Sequence, residues 1–67
     1  MGTALYPQIF QQAFPILESG GWVLVEIGMG QSDVVMEAAV AAGFVDVEAV
    51  DDFAGIPRVV TGRKYAA

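Results

Sequence analysis

The fold of this chain is decided by the stretch Gly20-Gly21-Trp22-Val23-Leu24-Val25-Glu26-Ile27-Gly28-Met29-Gly30-Gln31. Between its glycines lies an almost unbroken run of apolar residues, which is typical of a strand buried on both faces. A strand followed by a glycine-containing turn and a helix is the repeating unit of an α/β sheet. We therefore predict an α/β fold whose central strand spans residues 22–28.

A helix is predicted on the amino-terminal side of this strand. Its apolar residues recur at spacings of three and four, which places them on one helical face that packs against a sheet. They are Tyr6, Ile9, Phe10, Ala13, Phe14 and Leu17. Pro7 suits the first helical turn, whereas Pro15 is expected to kink the helix near Phe14.

A second helix is predicted after the strand, over residues 34–42. Ser32 is its expected N-cap, Asp33 lies favourably near the positive end of the helix dipole, and Gly43 ends the helix. Apart from Asp33 and Glu37, this segment is apolar on almost every side. It is therefore expected to need cover on more than one face.

Two further strands follow the second helix. Residues 44–49 alternate between apolar and acidic side chains, which predicts a half-buried strand at a sheet edge with Asp46 and Glu48 facing outward. Residues 58–64 form the last predicted strand and carry all three basic residues, which a hairpin would place near Asp46, Glu48 and Asp51. The order is α-β-α-β-β, with the first two strands parallel because a helix connects them. The third strand could lie outside the second or insert between the first two.

The composition narrows the classes of function. The 67 residues form at most one small α/β unit, spanning 1–67, and 55% of them are hydrophobic, which favours a piece of a larger protein or one half of a homo-oligomer. The chain has no Cys and no His, which excludes disulfides, thiolate and imidazole chemistry and the usual zinc sites. Its net charge of −5 repels phosphate backbones, so we expect no nucleic-acid partner.

A membrane partner is not expected either. No apolar run approaches the roughly 18 residues that a membrane-spanning helix needs. The first residues lack the basic start and apolar centre of a signal peptide. Together with the lack of Cys, this favours a cytoplasmic location.

One loop and one acidic cluster are the candidate sites. Glu26, Gly28 and Gly30 lie between a strand and a helix, where glycines can let backbone amides approach a cofactor. A third glycine is missing there, so a tight structural turn is the favoured interpretation. The carboxylates of Glu48, Asp51 and Asp52 could bind Mg²⁺ or Ca²⁺. A solvated acidic face paired with Arg58 and Arg63 is favoured over a metal site. No catalytic set is predicted.

Three groups of residues recur together in a known pattern. They are Gly20-Gly21-Trp22-Val23-Leu24-Val25-Glu26-Ile27-Gly28 with Gln31, then Ala42-Gly43-Phe44 with Asp46-Val47, then Asp52-Phe53-Ala54-Gly55-Ile56-Pro57-Arg58-Val59-Val60 with Gly62-Arg63. At these separations they resemble the carboxyl-terminal end of the HemK family, the release factor glutamine methyltransferases. The likeness extends from Leu5 to Lys64.

The resemblance implies a fragment of the seven-stranded class I methyltransferase sheet. Residues 22–28, 45–50 and 58–64 would be its fifth, sixth and reversed seventh strands, with the last one antiparallel and inserted between the other two. The loop with Glu26 and Gly28 would then not be the cofactor loop, because the glycine-rich motif for S-adenosylmethionine follows the first strand in this family. That motif, and the Asn-Pro-Pro-Tyr motif that holds the substrate amide, are not among these 67 residues.

The resemblance also implies a reaction for the parent protein. The family transfers a methyl group from S-adenosylmethionine to the side-chain nitrogen of the glutamine in the Gly-Gly-Gln motif of peptide chain release factors. This chain would be a scaffold segment of such an enzyme, inactive alone and with no cofactor bound to it. Two alternatives remain: a small self-associating α/β interaction module, and a fragment of a related methyltransferase that acts on DNA adenine or on a small molecule.

Overall fold

A computed structural model describes residues 5–65, which form two helices and three strands. In chain order they are α1 (Tyr6–Ile16), β1 (Trp22–Glu26), α2 (Ser32–Ala41), β2 (Val45–Asp51) and β3 (Pro57–Arg63). The predicted order α-β-α-β-β is therefore confirmed.

The three strands form one sheet in which β3 lies between β1 and β2 and runs antiparallel to both. Val60, near the middle of β3, lies opposite Val25 of β1 and Ala49 of β2. It follows that β1 and β2 run parallel to each other without sharing hydrogen bonds. Of the two positions left open for the last strand, the structure shows the inserted one.

Side chains from both helices meet the same face of the sheet and form the core with it. The buried residues are Phe10, Ile27, Val35, Ala38, Ala39, Phe44 and Val60. The rings of Phe10 and Phe14 each meet Phe44 edge to face, with centroids 5.8 and 5.1 Å apart. A Cβ on Gly62 would lie 3.1 Å from the Phe44 Cβ, so the absence of a side chain at this position of β3 lets Phe44 pack closely.

The strand β1 is half-buried, which corrects the prediction that both of its faces are covered. Val23 and Val25 pack against the core, whereas Trp22 and Leu24 are 51% and 67% exposed. We call the surface that carries Trp22, Leu24, Thr61 and Arg63 the outer sheet face, since Arg63 lies opposite Trp22 and Thr61 opposite Leu24. The apolar run forms a strand, as predicted. Both helices, however, pack on the face of the sheet opposite to the outer sheet face.

The helices largely follow the predicted pattern. The buried face of α1 centres on Phe10, which leaves Ile9 41% exposed although the spacing had placed it on that face. Pro7 lies in the first turn as predicted, and α1 continues one residue beyond Pro15, to Ile16. The N-cap of α2 is Gln31 rather than Ser32, because the helix already begins at Ser32, and no side chain caps it.

The strand β2 lies at a sheet edge, as predicted, and is interrupted by a bulge. Its register against β3 shifts between Val45 and Glu48, and Asp46 has a φ of 52°, a left-handed conformation that is uncommon outside glycine. Val47 and Ala49 are half-buried, while Asp46 and Glu48 are exposed. A bulge and outward acidic residues are two devices that discourage pairing of an edge strand with another chain.

Candidate functional site

The candidate site lies at the carboxyl edge of the sheet, which we define by two loops, residues 27–31 after β1 and residues 52–56 after β2. The Ile27 amide donates a hydrogen bond of 2.9 Å to the Arg58 carbonyl oxygen, which holds the end of β1 beside the start of β3. Ligands of open α/β sheets bind beyond the carboxyl ends of the parallel strands. This edge is therefore where a ligand or substrate is expected.

The side chain of Gln31 closes the glycine turn after β1. Its Oε1 accepts hydrogen bonds from the Gly28 amide at 2.9 Å and from the Tyr6 hydroxyl at 3.2 Å. A Cβ on Gly28 would lie 2.9 Å from the same oxygen, so a side chain at this position would displace the Gln31 amide group from this contact. Gly30 has a φ of 77°, and the Gln31 amide donates a hydrogen bond of 3.2 Å to the Gly28 carbonyl oxygen within the same turn.

The turn brings the three predicted candidate residues together but directs their polar groups differently. Gly28 donates its amide to Gln31, the side chain of Glu26 is exposed at the end of β1, and no atom lies within 4 Å of a Cβ built on Gly30. The amide that a cofactor would need from Gly28 is thus already used within the turn. This donor set does not fit a cofactor well, and the favoured interpretation of these residues as a structural turn stays a prediction.

The loop after β2 is organised by the carboxylate of Asp52. Its Oδ1 accepts hydrogen bonds from the amides of Ala54 at 2.8 Å and Ile56 at 3.1 Å, and its Oδ2 accepts one from Nε of Arg58 at 3.0 Å. All three donors favour the ionised carboxylate. The Ile56 amide and then the Arg58 side chain are the main reasons why the pKa of Asp52 lies below its ordinary value of 3.8.

The predicted pairing of the acidic cluster with arginines is confirmed for Arg58, which forms its ion pair with Asp52. Side-chain oxygens of Asp often accept main-chain amides within a turn, and the sequence from Asp52 to Pro57 carries that signal. Within residues 5–65, no group of three or more acidic side chains is placed to hold a metal ion.

Two large apolar side chains project from the carboxyl edge. Met29 is 69% exposed, and Phe53 is completely exposed at the tip of the loop that Asp52 organises. Exposed acidic residues belong to the same edge, namely Glu26, Asp33 and Asp51. The edge therefore offers an apolar and acidic surface to a partner. It presents carboxylates, but the chain has no His or Cys that could act beside them as base or nucleophile.

The other two basic residues lie at the opposite end of the strands from the carboxyl edge. Nη2 of Arg63 pairs with Oδ2 of Asp46 at 3.2 Å, as predicted, and the guanidinium lies 5.8 Å from the centroid of the Trp22 ring. Among residues 5–65, Nζ of Lys64 contacts no acidic side chain, which corrects the prediction for this residue. It donates instead to the carbonyl oxygens of Phe14 at 2.8 Å and Leu17 at 2.9 Å, at the negative end of the α1 dipole.

Known proteins provide an independent comparison. The chain is 40% identical over 62 residues to the release factor glutamine methyltransferase of Geobacter sulfurreducens, 39% over 64 residues to that of Escherichia coli and 42% over 63 residues to that of Koribacter versatilis. These matches cover 92%, 96% and 94% of this chain. The chain is similar to one segment of a release factor glutamine methyltransferase.

The resemblance found in the sequence motifs is thereby confirmed, including its match to the carboxyl-terminal part of that family. The matched segment is only 22%, 23% and 22% of the three relatives, so the chain spans less than a quarter of the length of the curated relatives it matches. No family model matches the chain. No solved structure matches it either. Neither α1 nor α2 is long and apolar enough to cross a membrane.

Proposed function

We propose that this chain is the carboxyl-terminal segment of a protein-(glutamine-N5) methyltransferase. The parent protein would use S-adenosylmethionine to methylate the Gly-Gly-Gln glutamine of peptide chain release factors. The observation that carries this proposal is the similarity to release factor glutamine methyltransferases, which extends over 92–96% of the chain. A cytoplasmic location follows from the proposal, because release factors act on ribosomes.

The role proposed for the chain itself is that of a scaffold. In residues 5–65, β1 pairs on one side only, and Trp22 and Leu24 are exposed next to its free edge. A further strand beside β1 would satisfy the backbone groups of this edge and extend the sheet. We propose that β1, β3 and β2 are the fifth, seventh and sixth strands of a class I methyltransferase sheet, and that the rest of the enzyme continues from β1.

The cofactor would be held by the remainder of the parent protein. The turn after β1 directs the Gly28 amide at Gln31, which supports the proposal that S-adenosylmethionine does not bind here. Isothermal titration of S-adenosylmethionine into the 67-residue chain should give no heat of binding. Micromolar affinity would contradict the scaffold role and restore the turn of Glu26, Gly28 and Gly30 as a cofactor site.

A chimera tests the proposed function directly. In it, the matched segment of the Escherichia coli relative is replaced by this chain, and methyl transfer from S-adenosylmethionine to a release factor is followed by mass spectrometry of the Gly-Gly-Gln peptide. We expect methylation to be retained, because the substituted segment supplies sheet and helices rather than reacting groups. A chimera that is insoluble, or folded yet inactive, would contradict the proposal.

The matched control for this chimera is Val60→Asp. Val60 is completely buried in the middle of β3, and a carboxylate at this position would have no partner. The control chimera should therefore lose both its folded state and its methylation. Retention of activity in this variant would show that the segment does not contribute to the catalytic domain.

Self-association is the second candidate function. It is favoured by the exposure of Trp22 and Leu24 on the outer sheet face, which a second copy could cover in place of a larger enzyme. A fragment of a DNA methyltransferase has less support, since the net charge of −5 opposes binding to phosphate backbones.

A further inference from the structure

A shallow, open groove lies between α2 and β2. It is lined by Asp33, Met36, Glu37, Val40 and Ala41 of α2 and by Val47 of β2, and it encloses about 630 Å³. Val40 is 60% exposed, and Met36 and Val47 are half-buried, so the floor of the groove is apolar and accessible. An apolar concave surface of this size is suited to accept side chains of a partner.

The position of the groove separates it from the proposed methyltransferase contacts. The strand β2 ends the sheet on the side opposite to β1. Further strands that join β1 would leave the groove open. The inference drawn from it therefore does not rest on the proposed function.

The acidic residues beside the groove are not paired with any basic side chain in the described part of the chain. Asp33 and Glu37 are exposed and lie one helical turn apart, about 6 Å along the axis of α2. Each of the three basic residues is held elsewhere: Arg58 by Asp52, Arg63 by Asp46, and Lys64 by carbonyl oxygens of α1. A partner that carries positive charge would therefore complement Asp33 and Glu37.

Two possible occupants are disfavoured by the same structure. An added strand would have to pair with β2 across the bulge at Asp46 and beside the outward Glu48, both of which oppose regular pairing. A second copy of the chain also carries a net charge of −5, and its basic residues are engaged in the same internal contacts. A helix avoids both problems, because it needs no backbone partner and can present basic residues on successive turns.

We propose that the groove binds an amphipathic helix of a partner protein. Apolar residues of that helix pack on Met36, Val40 and Val47, and Lys or Arg residues four positions apart face Asp33 and Glu37. This is the helix-in-groove mode of recognition, in which apolar anchors recur at helical spacing and flanking charges set the orientation.

The probe for this proposal is a synthetic peptide of about 18 residues, long enough to form a helix, with Leu along one face and two Lys four positions apart beside it. It is titrated into the isotopically labelled 67-residue chain while amide chemical shifts are recorded. We expect the changes to centre on Met36, Val40 and Val47. Changes centred on Trp22 and Leu24 would overturn the proposal, because they would show nonspecific binding to the outer sheet face.

Paired variants separate a specific charge contact from general attraction to an acidic protein. Asp33→Asn combined with Glu37→Gln should weaken peptide binding by about fivefold, the effect of losing two exposed ion pairs. Glu18→Gln combined with Glu26→Gln removes the same charge elsewhere and should change affinity by less than about twofold. A peptide with Glu in place of both Lys residues should bind the unaltered chain only weakly. Its affinity should not exceed the affinity of the Lys peptide for the Asp33→Asn, Glu37→Gln variant.

Three further outcomes would overturn the proposal. Equal weakening by the two double variants would show that only net charge matters. Equal binding of the Glu peptide would remove the role of Asp33 and Glu37. If the chemical shifts at the groove change when the protein concentration is raised in the absence of peptide, a second copy of the chain occupies the groove. Circular dichroism of each variant confirms that the fold is retained, since all four substituted residues are exposed.

Discussion

The carboxylate of Asp52 fixes the loop at the carboxyl edge through individual atomic contacts. It accepts hydrogen bonds from two main-chain amides and one guanidinium nitrogen, and so ties Arg58 to the loop. The sequence showed that Asp51 and Asp52 belong to an acidic cluster near Arg58. It did not show which of the two accepts the hydrogen bonds, because that depends on the path of the backbone between Asp52 and Ile56.

A pH dependence of stability follows from the Asp52 contacts. Its folded-state pKa lies below 3.8, and the ordinary value applies to the unfolded chain. The stabilisation is therefore fully present above that value and is lost as the pH falls through the folded pKa. Urea denaturation should show Asp52→Asn less stable than the unaltered chain at neutral pH, with a smaller difference near pH 3.

The control for this prediction is Asp51→Asn, which removes a neighbouring carboxylate that makes no ion pair within residues 5–65. This variant should be less destabilised at neutral pH than Asp52→Asn. A difference between Asp52→Asn and the unaltered chain that stays constant from neutral pH to pH 3 would contradict the role assigned to Asp52.

Gly62 is a second residue whose role depends on close contact. A Cβ at this position would lie 3.1 Å from Cβ and 3.4 Å from Cγ of Phe44. Overpacking of this kind typically costs about 1–3 kcal/mol, so Gly62→Ala should lower the free energy of unfolding in urea by that amount. The cost should be smaller in a Phe44→Ala background, where Cγ and the ring are absent and the remaining Cβ can shift. An equal cost in both backgrounds would refute the proposed clash.

Among the elements, the helices were the easiest to predict and the surroundings of β1 the hardest. Spacings of three and four identified the face of α1 that centres on Phe10, because helical periodicity is a local property. The apolar run of β1 identified a strand but not its burial, since Trp22 and Leu24 are covered only if another element packs on the outer sheet face. The alternation in β2 likewise showed which face is buried without showing which strand lies beside it.

Lys64 joins two elements in a way that the sequence did not reveal. It follows β3 and donates to the carbonyl oxygens of Phe14 and Leu17 at the end of α1, and its ammonium lies 4.8 Å from the centroid of the Phe14 ring. The pattern of charges had suggested an acidic partner. The carbonyl groups at a helix end attract a cation as well, but their position relative to β3 is a tertiary feature.

Replacing Lys64 should loosen the end of α1. Lys64→Met keeps the length of the side chain but removes both hydrogen bonds, and we expect a loss of about 1–2 kcal/mol in urea denaturation. Hydrogen exchange should also be faster for amides in the last turn of α1. Lys64→Arg is the control, because it keeps the charge and the donors. Wild-type stability in the Met variant would show that the contact contributes nothing.

The molecule as a whole exposes several large apolar side chains in addition to those that it buries in its core. Within residues 5–65, seven apolar residues form the buried core, while Trp22, Leu24, Met29 and Phe53 are all at least half exposed. The sequence had predicted a homodimer or larger assembly from its composition, and that prediction stays open. The structure adds a location for it, since the outer sheet face borders the free edge of β1.

A double substitution tests whether that face mediates association. Trp22→Thr with Leu24→Thr keeps strand-forming residues but removes the apolar surface, so it should increase the monomer fraction in sedimentation experiments. Ile16→Thr with Val34→Thr is the control, because these exposed residues lie on the helices. A wild-type chain that is monomeric with a cooperative thermal transition would contradict association altogether.

The insertion of β3 between β1 and β2 has a consequence for the order of events on the ribosome. Both neighbours of β3 are synthesised before it, and neither pairs with the other within residues 5–65. The hydrogen bonds that β3 makes to β1 and β2 can therefore form only after β3 has left the exit tunnel. A nascent chain stalled ahead of Pro57 would lack these hydrogen bonds and would leave β2 unpaired, open to capture by chaperones.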